Sequence, residues 1–311
     1  MSHGTSQTTT EIASQPDCWR RTAALAPRHA EALPAAGERT AVVGCGTSWF
    51  VAQSFAALRE RGGHGETQAF AASEFPLGRS YDRVVAITRS GTTTEVLDLL
   101  RRLRGTSPVV AVTADGDTPV RQVADHLVVL DHADERSVVQ TRFATSALGL
   151  LRVHLGESLD TAAADAERAL AGELPESLLR AEQFTFLGSG WTYGLAQEAA
   201  LKMREAAGAW TEAYPVMEYR HGPISITGPG RVVWVFGDLP EGLAEDVRRT
   251  GGTLVAHSST TGGASGDGDG QGPLDPMADL VRAQRLAVAL AEARGLDPDR
   301  PRHLSRSVVL G

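Results

Sequence analysis

A short apolar run that ends near glycine and feeds a helix recurs along this sequence, and that pattern narrows the folds open to it. Residues 40–43 run apolar into Gly44, with a helical stretch to about residue 60. Residues 84–87 are again apolar, Gly91 follows, and a helical pattern covers about 93–103. Two more apolar runs lie at 109–112 and 127–130, and 140–155 reads as a helix packed on one face. Such short runs, alternating with helices, predict parallel strands buried on both sides. After a helical connector at 161–170 the pattern restarts. Residues 184–187 end at Gly188, a helix covers 192–206, strands follow at 232–236 and 253–256, and 277–293 forms a last helix. The expectation is an α/β chain of two tandem doubly wound parallel-sheet halves. Both halves open alike, with TAVVGCGTSWF from Thr40 and FTFLGSGWTYG from Phe184, weak support for an internal duplication.

The predicted boundaries are a flexible lead-in at 1–20, a first half at 21–158, a second half at 159–296 and a C-terminal tail at 297–311. Within the second half, SSTTGGASGDGDGQG from Ser258 has too little apolar surface to order itself, which predicts a flexible insertion at about 258–273.

A net charge of −8 argues against nucleic acid or an anionic membrane as partner. Any anionic ligand then needs locally concentrated positive charge. The two cysteines, Cys18 and Cys45, form neither a disulfide framework nor a metal cluster and suit a reducing cytoplasm. The polar N-terminus lacks a signal-peptide pattern, and no apolar run reaches the roughly 20 residues that span a bilayer. Histidines are scattered without ligand spacing, so no metal or other cofactor is expected.

AITRSGTTTEV, from Ala86, is the most informative stretch. Thr88, Arg89, Ser90, Gly91, Thr92 and Thr93 lie between a buried strand and a helix start. Backbone N–H groups there lack intrahelical partners and the helix dipole adds positive character. Hydroxyls flanking a glycine can donate to phosphate oxygens, and Arg89 could add full charge. The segment also fits an ordinary capped turn with Thr93 as N-cap. It is not a Walker loop, because GxxxxGK[ST] is absent. Further on, Glu198, Lys202 and Glu205 fall at i, i+4 and i+7, one stripe of a helix. By spacing alone that stripe could equally be a solvated ion-pair face.

In order along the chain, these segments resemble the sugar isomerase (SIS) domain family, which includes the isomerase halves of glucosamine-6-phosphate synthases and stand-alone aldosamine-6-phosphate deaminases and isomerases. The resemblance rests on Glu11, Ile12, Gln15 and Pro16; on Cys45, Gly46, Thr47 and Ser48; on Ala72, Ser73, Glu74 and Phe75; and on Thr88, Arg89, Ser90, Gly91 and Thr93. It continues through Glu198, Ala200, Leu201, Lys202 and Glu205; Glu212, Ala213 and Tyr214; His221, Gly222 and Pro223; and Pro301, Arg302, Leu304, Ser307 and Val308. It implies two flavodoxin-like SIS subdomains, a sugar 6-phosphate as partner, and phosphate contacts from Thr47, Ser48, Ser90 and Thr93. It further implies Glu205 as the base moving a proton between C1 and C2, Lys202 at the substrate, and a tail over the active site. His221 would open the sugar ring from a second subunit, hence a homodimer with a shared site.

Three positions depart from the synthase pattern. Arg306 stands where the synthase has an imine-forming lysine, and an arginine, always protonated, cannot form that imine. Gln140 replaces a serine of the sugar site, and Arg89 replaces a glutamine; both look more like the deaminase and ketose–aldose isomerase branch. The sequence shows no glutamine amidotransferase half, so glutamine-dependent synthesis by this chain alone is not expected. The leading expectation is an isomerase or deaminase acting on a hexosamine or ketohexose 6-phosphate. A fructosamine-6-phosphate deglycase, a non-catalytic sugar-phosphate sensor and an accessory subunit for a separate amidotransferase chain are the alternatives.

Overall fold

The computed structural model describes residues 5–256 and 272–310. In chain order the elements are α1 (Gln7–Ala13), α2 (Gln15–Leu25), β1 (Thr40–Gly44), α3 (Thr47–Arg61), β2 (Thr67–Ala71), β3 (Arg83–Ile87), α4 (Thr94–Leu103), β4 (Val109–Thr113), β5 (His126–Val129) and α5 (Arg142–His154). They continue with α6 (Asp160–Ala171), α7 (Glu176–Leu179), β6 (Gln183–Gly188), α8 (Trp191–Ala207), β7 (Trp210–Pro215), β8 (Arg231–Phe236), α9 (Leu243–Thr250), β9 (Thr253–Ala256) and α10 (Pro276–Ala293).

The chain divides into two compact units. One is Ser14–Asp160 with the C-terminal His303–Gly311; the other is Thr161–Arg302 with the N-terminal Met1–Ala13. The first unit carries an all-parallel sheet in the order β2-β1-β3-β4-β5. Ala41, Val43, Val84, Ala86, Val109 and Ala111 pack with Val96, Leu99, Leu100 and Leu103 of α4 on one face. The alternate strand residues Val42, Val85 and Val110 are equally buried, and α3 packs along β1. A sheet buried on both faces is what the continuous valine-rich runs require.

The second unit repeats the plan in the order β7-β6-β8-β9, again all parallel. Leu187, Val233 and Val235 pack with Leu243 and Val247 of α9. Phe184, Phe186, Trp234 and Phe236 form an aromatic ladder across β6 and β8. Trp234 Nε1 donates to Asp279 Oδ2 on α10 at 2.9 Å, satisfying the indole N–H within the core. The turns opening α3 and α8 share one backbone shape, with Gly46 at φ 55°, ψ −124° and Gly190 at φ 53°, ψ −123°. That match strengthens the reading of the two openings as repeats.

The N-terminal lead-in is not a flexible segment over 1–20, because helix covers most of it from Gln7 onward. The N–H groups of Gln7 and Thr8 donate to the Asp299 carboxylate at 2.8 and 2.7 Å, Ile12 is buried, and α1 packs on α10. In the other unit α2 packs on α5, with Trp19 fully buried and its Nε1 donating to Thr145 Oγ1 at 2.9 Å. Trp19→Ala is expected to destabilise its unit by about 3–5 kcal/mol, the usual cost of emptying so large a core site, read by urea unfolding. The insertion expected at 258–273 lies, apart from residues 272 and 273, outside the described residues. Strands β2 and β7 and helices α1, α2, α7 and α9 are additional to the predicted elements. No helix among the described residues is long and apolar enough to cross a membrane.

Candidate active site

Where strand order reverses in an open parallel sheet, the loops at the carboxyl ends diverge and leave a crevice. In the first unit that reversal lies between β1 and β3. The two turns singled out from sequence follow these neighbouring strands: Thr47 and Ser48 open α3 after β1, and residues 88–93 join β3 to α4. Thr47, Ser48 and Thr88 are buried, Ser90 nearly so, and Thr93 is half-buried in extended conformation as N-cap of α4. Thr88 Oγ1 is buried with no hydrogen-bond partner in its unit, and so is Gln140 Oε1, just before α5. Such orphaned buried groups are costly unless something pairs with them. Ser90 Oγ accepts from both the Thr92 N–H, at 3.2 Å, and Thr92 Oγ1, at 2.9 Å.

Gly91 sets the loop's path. Its φ is +61°, and a Cβ built there would collide with Thr118 Oγ1 and come within 2.9 Å of Val120 Cγ1. Its carbonyl accepts the Val120 N–H at 3.0 Å. Gly91→Ala is expected to cost at least about 1–2 kcal/mol from the left-handed backbone alone, before the collision is counted. A urea melt reads it, and unchanged stability contradicts the loop geometry.

Arg89 is placed otherwise than the sequence predicts. It is buried, with its guanidinium turned inward onto Glu135 Oε2 at 3.2 Å and the carbonyls of Ser137, Val138 and Arg306 at 3.3, 3.1 and 2.8 Å. Its two amino groups thus serve four acceptors within the unit, and only the buried Nε is left without a partner. Arg306 likewise directs its side chain to Asp134 as an ion pair rather than into an open site. The tail continues over the loop: Ser307 Oγ accepts from Thr92 Oγ1 at 3.0 Å, and the Val308 carbonyl accepts the Thr94 N–H at 3.1 Å. Burial, with a smaller push from Glu95, raises the Cys45 thiol to about 11, so it is neutral at physiological pH and no nucleophile there.

In the second unit, α8 follows β6, the strand beside the corresponding reversal. The predicted stripe on α8 is a buried charge cluster, not a solvated face. The Lys202 side chain is 1% exposed and lies 3.5 Å from Glu198 Oε1, whose side chain is 2% exposed. On its other side Lys202 pairs with Glu205, whose carboxylate is 19% exposed. Charges this deeply buried persist only when paired, and the outermost of the three reaches towards solvent. Tyr214 Oη donates to Glu212 Oε2 at 3.1 Å on β7, the neighbouring strand of the sheet. His221 sits exposed at the end of a short 3-10 turn, before Gly222 at φ 136°. Thr47, Ser48, Thr88, Ser90, Thr93, Gln140 and Arg306 thus belong to one unit, and Lys202, Glu205 and His221 to the other. Glu135 was missed from sequence; it stands in irregular chain, and only its burial opposite Arg89 reveals it.

Two parallel-sheet units of this strand order, one with a hydroxyl-rich loop at its reversal and the other with a buried charge cluster on a helix, resemble the sugar isomerase (SIS) class, and the similarities in sequence and fold point to the same family. It is 28% identical over 297 residues to a glutamine–fructose-6-phosphate aminotransferase (isomerizing) of Sulfurisphaera tokodaii, across 88% of this chain and 50% of that protein. The chain thus spans about half the length of the curated relatives it matches. A crystal structure of a glucosamine-6-phosphate deaminase from Thermotoga maritima superposes with a TM-score of 0.81 at 25% identity, covering 98% of this chain and 100% of that one. A tagatose-6-phosphate ketose/aldose isomerase from Escherichia coli shares the fold, with a TM-score of 0.80 at 19% identity over 98% and 96% of the two chains. No family model matches the sequence.

Proposed function

We propose that this chain is a sugar-phosphate isomerase or deaminase acting on a hexosamine or ketohexose 6-phosphate. The observation that carries the reading is the Glu198–Lys202–Glu205 cluster, two buried charges leading to one carboxylate that reaches solvent. An aldose–ketose interconversion moves one proton between adjacent carbons through an enediol or enolamine and needs a held base. Glu205 is that base: its carboxylate takes the proton from C2 of the open-chain aldose and returns it to C1. Lys202 fixes the orientation of the carboxylate. For a hexosamine substrate the same shift yields a ketose imine, which water hydrolyses to ketose and ammonia.

The phosphate is held in this reading by the hydroxyls of Thr47, Ser48, Thr88, Ser90 and Thr93, together with N–H groups of the first turns of α3 and α4. These donors are neutral, since Arg89 is engaged elsewhere. Gln140 supplies an amide to the sugar hydroxyls, its buried Oε1 being the supporting feature. His221 opens the sugar ring, in a cytoplasmic homodimer where it acts on the partner's substrate; its exposure on its own unit favours this. The deaminase and ketose/aldose isomerase likenesses in fold support the same chemistry.

The test is to incubate the purified chain with glucosamine 6-phosphate, fructose 6-phosphate, tagatose 6-phosphate and fructosamine 6-phosphate, following ammonia release and isomer formation. Turnover of at least one is expected. Ligand-induced stabilisation without product, on every substrate, would replace the enzyme with a sugar-phosphate sensor.

A further inference from the structure

We propose that Glu135 and Arg89 are a positioning pair: they tie two segments, 134–141 and the tail, to the 88–93 loop, so that phosphate affinity depends on two side chains that do not themselves touch phosphate. The inference rests on the sugar-phosphate reading above for the ligand, and on geometry within one unit for the mechanism.

The pair is almost fully enclosed, at 1% and 0% side-chain exposure, with Arg89 Nη1 3.2 Å from Glu135 Oε2. The other carboxylate oxygen, Oε1, accepts from both the N–H and the hydroxyl of Thr141, the latter at 2.9 Å. Thr141 follows Gln140 directly and precedes α5, so Glu135 fixes the chain that presents the orphaned Gln140 amide. Arg89 reaches the Ser137 and Val138 carbonyls on that same irregular segment and the Arg306 carbonyl on the tail. Neither 134–141 nor 303–310 contains regular structure to hold it in place. The tail's remaining ties to the loop are hydrogen bonds at Thr92 and Thr94 and the Arg306–Asp134 ion pair.

Burying an ion pair seldom adds stability over a well-packed apolar pair of similar volume. What it supplies here is direction. A planar guanidinium offers a fork of donors, and this one serves four acceptors on two otherwise unsupported segments while anchored in the β3–α4 loop; a lysine's single ammonium cannot span them. Glu135 closes the arrangement by fixing the fork from behind.

The experiment uses the full chain and two variants. Arg89→Met with Glu135→Leu removes both charges together, leaving no buried ion unpaired. Arg89→Lys keeps the charge opposite Glu135 and loses the fork, and it carries the test should the double variant fail to fold. Hydrogen exchange at the Thr94 amide, which is bonded to the Val308 carbonyl, reports tail docking. Calorimetric titration with fructose 6-phosphate and with inorganic phosphate reports the loop.

In a variant that keeps the wild-type circular dichroism, Thr94 exchange is expected to rise, and both affinities to fall, by about tenfold or more, the scale of losing charge-assisted hydrogen bonds. A control, Ser90→Ala, should lose phosphate affinity while Thr94 stays protected. A folded variant that retains Thr94 protection and phosphate affinity overturns the proposal. A wild-type chain that binds neither ligand overturns the sugar-phosphate reading and with it the affinity arm, while Thr94 exchange still decides whether the pair holds the tail. Binding without turnover of any sugar phosphate counts against the proposed enzyme alone.

Discussion

Glu205→Gln is expected to lower turnover of the true substrate by about 10²–10⁴-fold, the contribution typical of a positioned general base. The replacement is nearly isosteric, so packing at the end of α8 is kept. It removes only the basic lone pair and the negative charge facing Lys202, which retains Glu198 at 3.5 Å as a counter-ion. Phosphate affinity, which the proposed function assigns to Thr47, Ser48, Thr88, Ser90 and Thr93, should survive, giving a fall in kcat with affinity largely intact. Exchange of the substrate's C2 proton with deuterated water checks the step itself: it should stop with turnover. Wild-type turnover in this variant would remove Glu205 from the chemistry.

Lys202→Met is expected to cost as much stability as emptying the Trp19 site. The ammonium is enclosed at 1% exposure and pairs with two carboxylates, of which Glu198 is equally enclosed. Removing one member of a buried ion pair typically costs about 3–5 kcal/mol, because the other charge stays desolvated. Urea melts at neutral pH measure the loss, and undiminished stability would mean that the cluster is not held by Lys202.

The fold was legible where burial forces a pattern. Strands β1, β3, β4, β6 and β8 are enclosed on both faces, so their sequences are nearly unbroken apolar runs and are recognised as such. Strands β2 and β7 are edge strands with half-buried residues, and TQAFA and WTEAYP lack both a run and clean alternation. α1 was hidden for a different reason. Its polar QTTTEIA gains its order from the Asp299 carboxylate, nearly three hundred residues away, which no local pattern encodes.

In the candidate site, the hydroxyls of the two turns and the spacing of Glu198, Lys202 and Glu205 were visible because βα turns and helix faces are local. Direction was not. Arg89 is one residue from Ser90 and would serve a phosphate equally well by sequence, yet its side chain folds back to Glu135, forty-six residues on. Whether a charged stripe is wet or buried was likewise undecidable from spacing, and burial separates the two readings: Lys202 lies inside.

The most direct measurement of the central claim is calorimetric binding of fructose 6-phosphate, against free fructose, to the wild-type chain and to a Ser90→Ala, Thr93→Val variant. The account predicts that the wild type binds the phosphorylated sugar and not the free one, and that the variant, though folded, loses that binding. Equal affinity for the two sugars, or undiminished affinity in the variant, would contradict it.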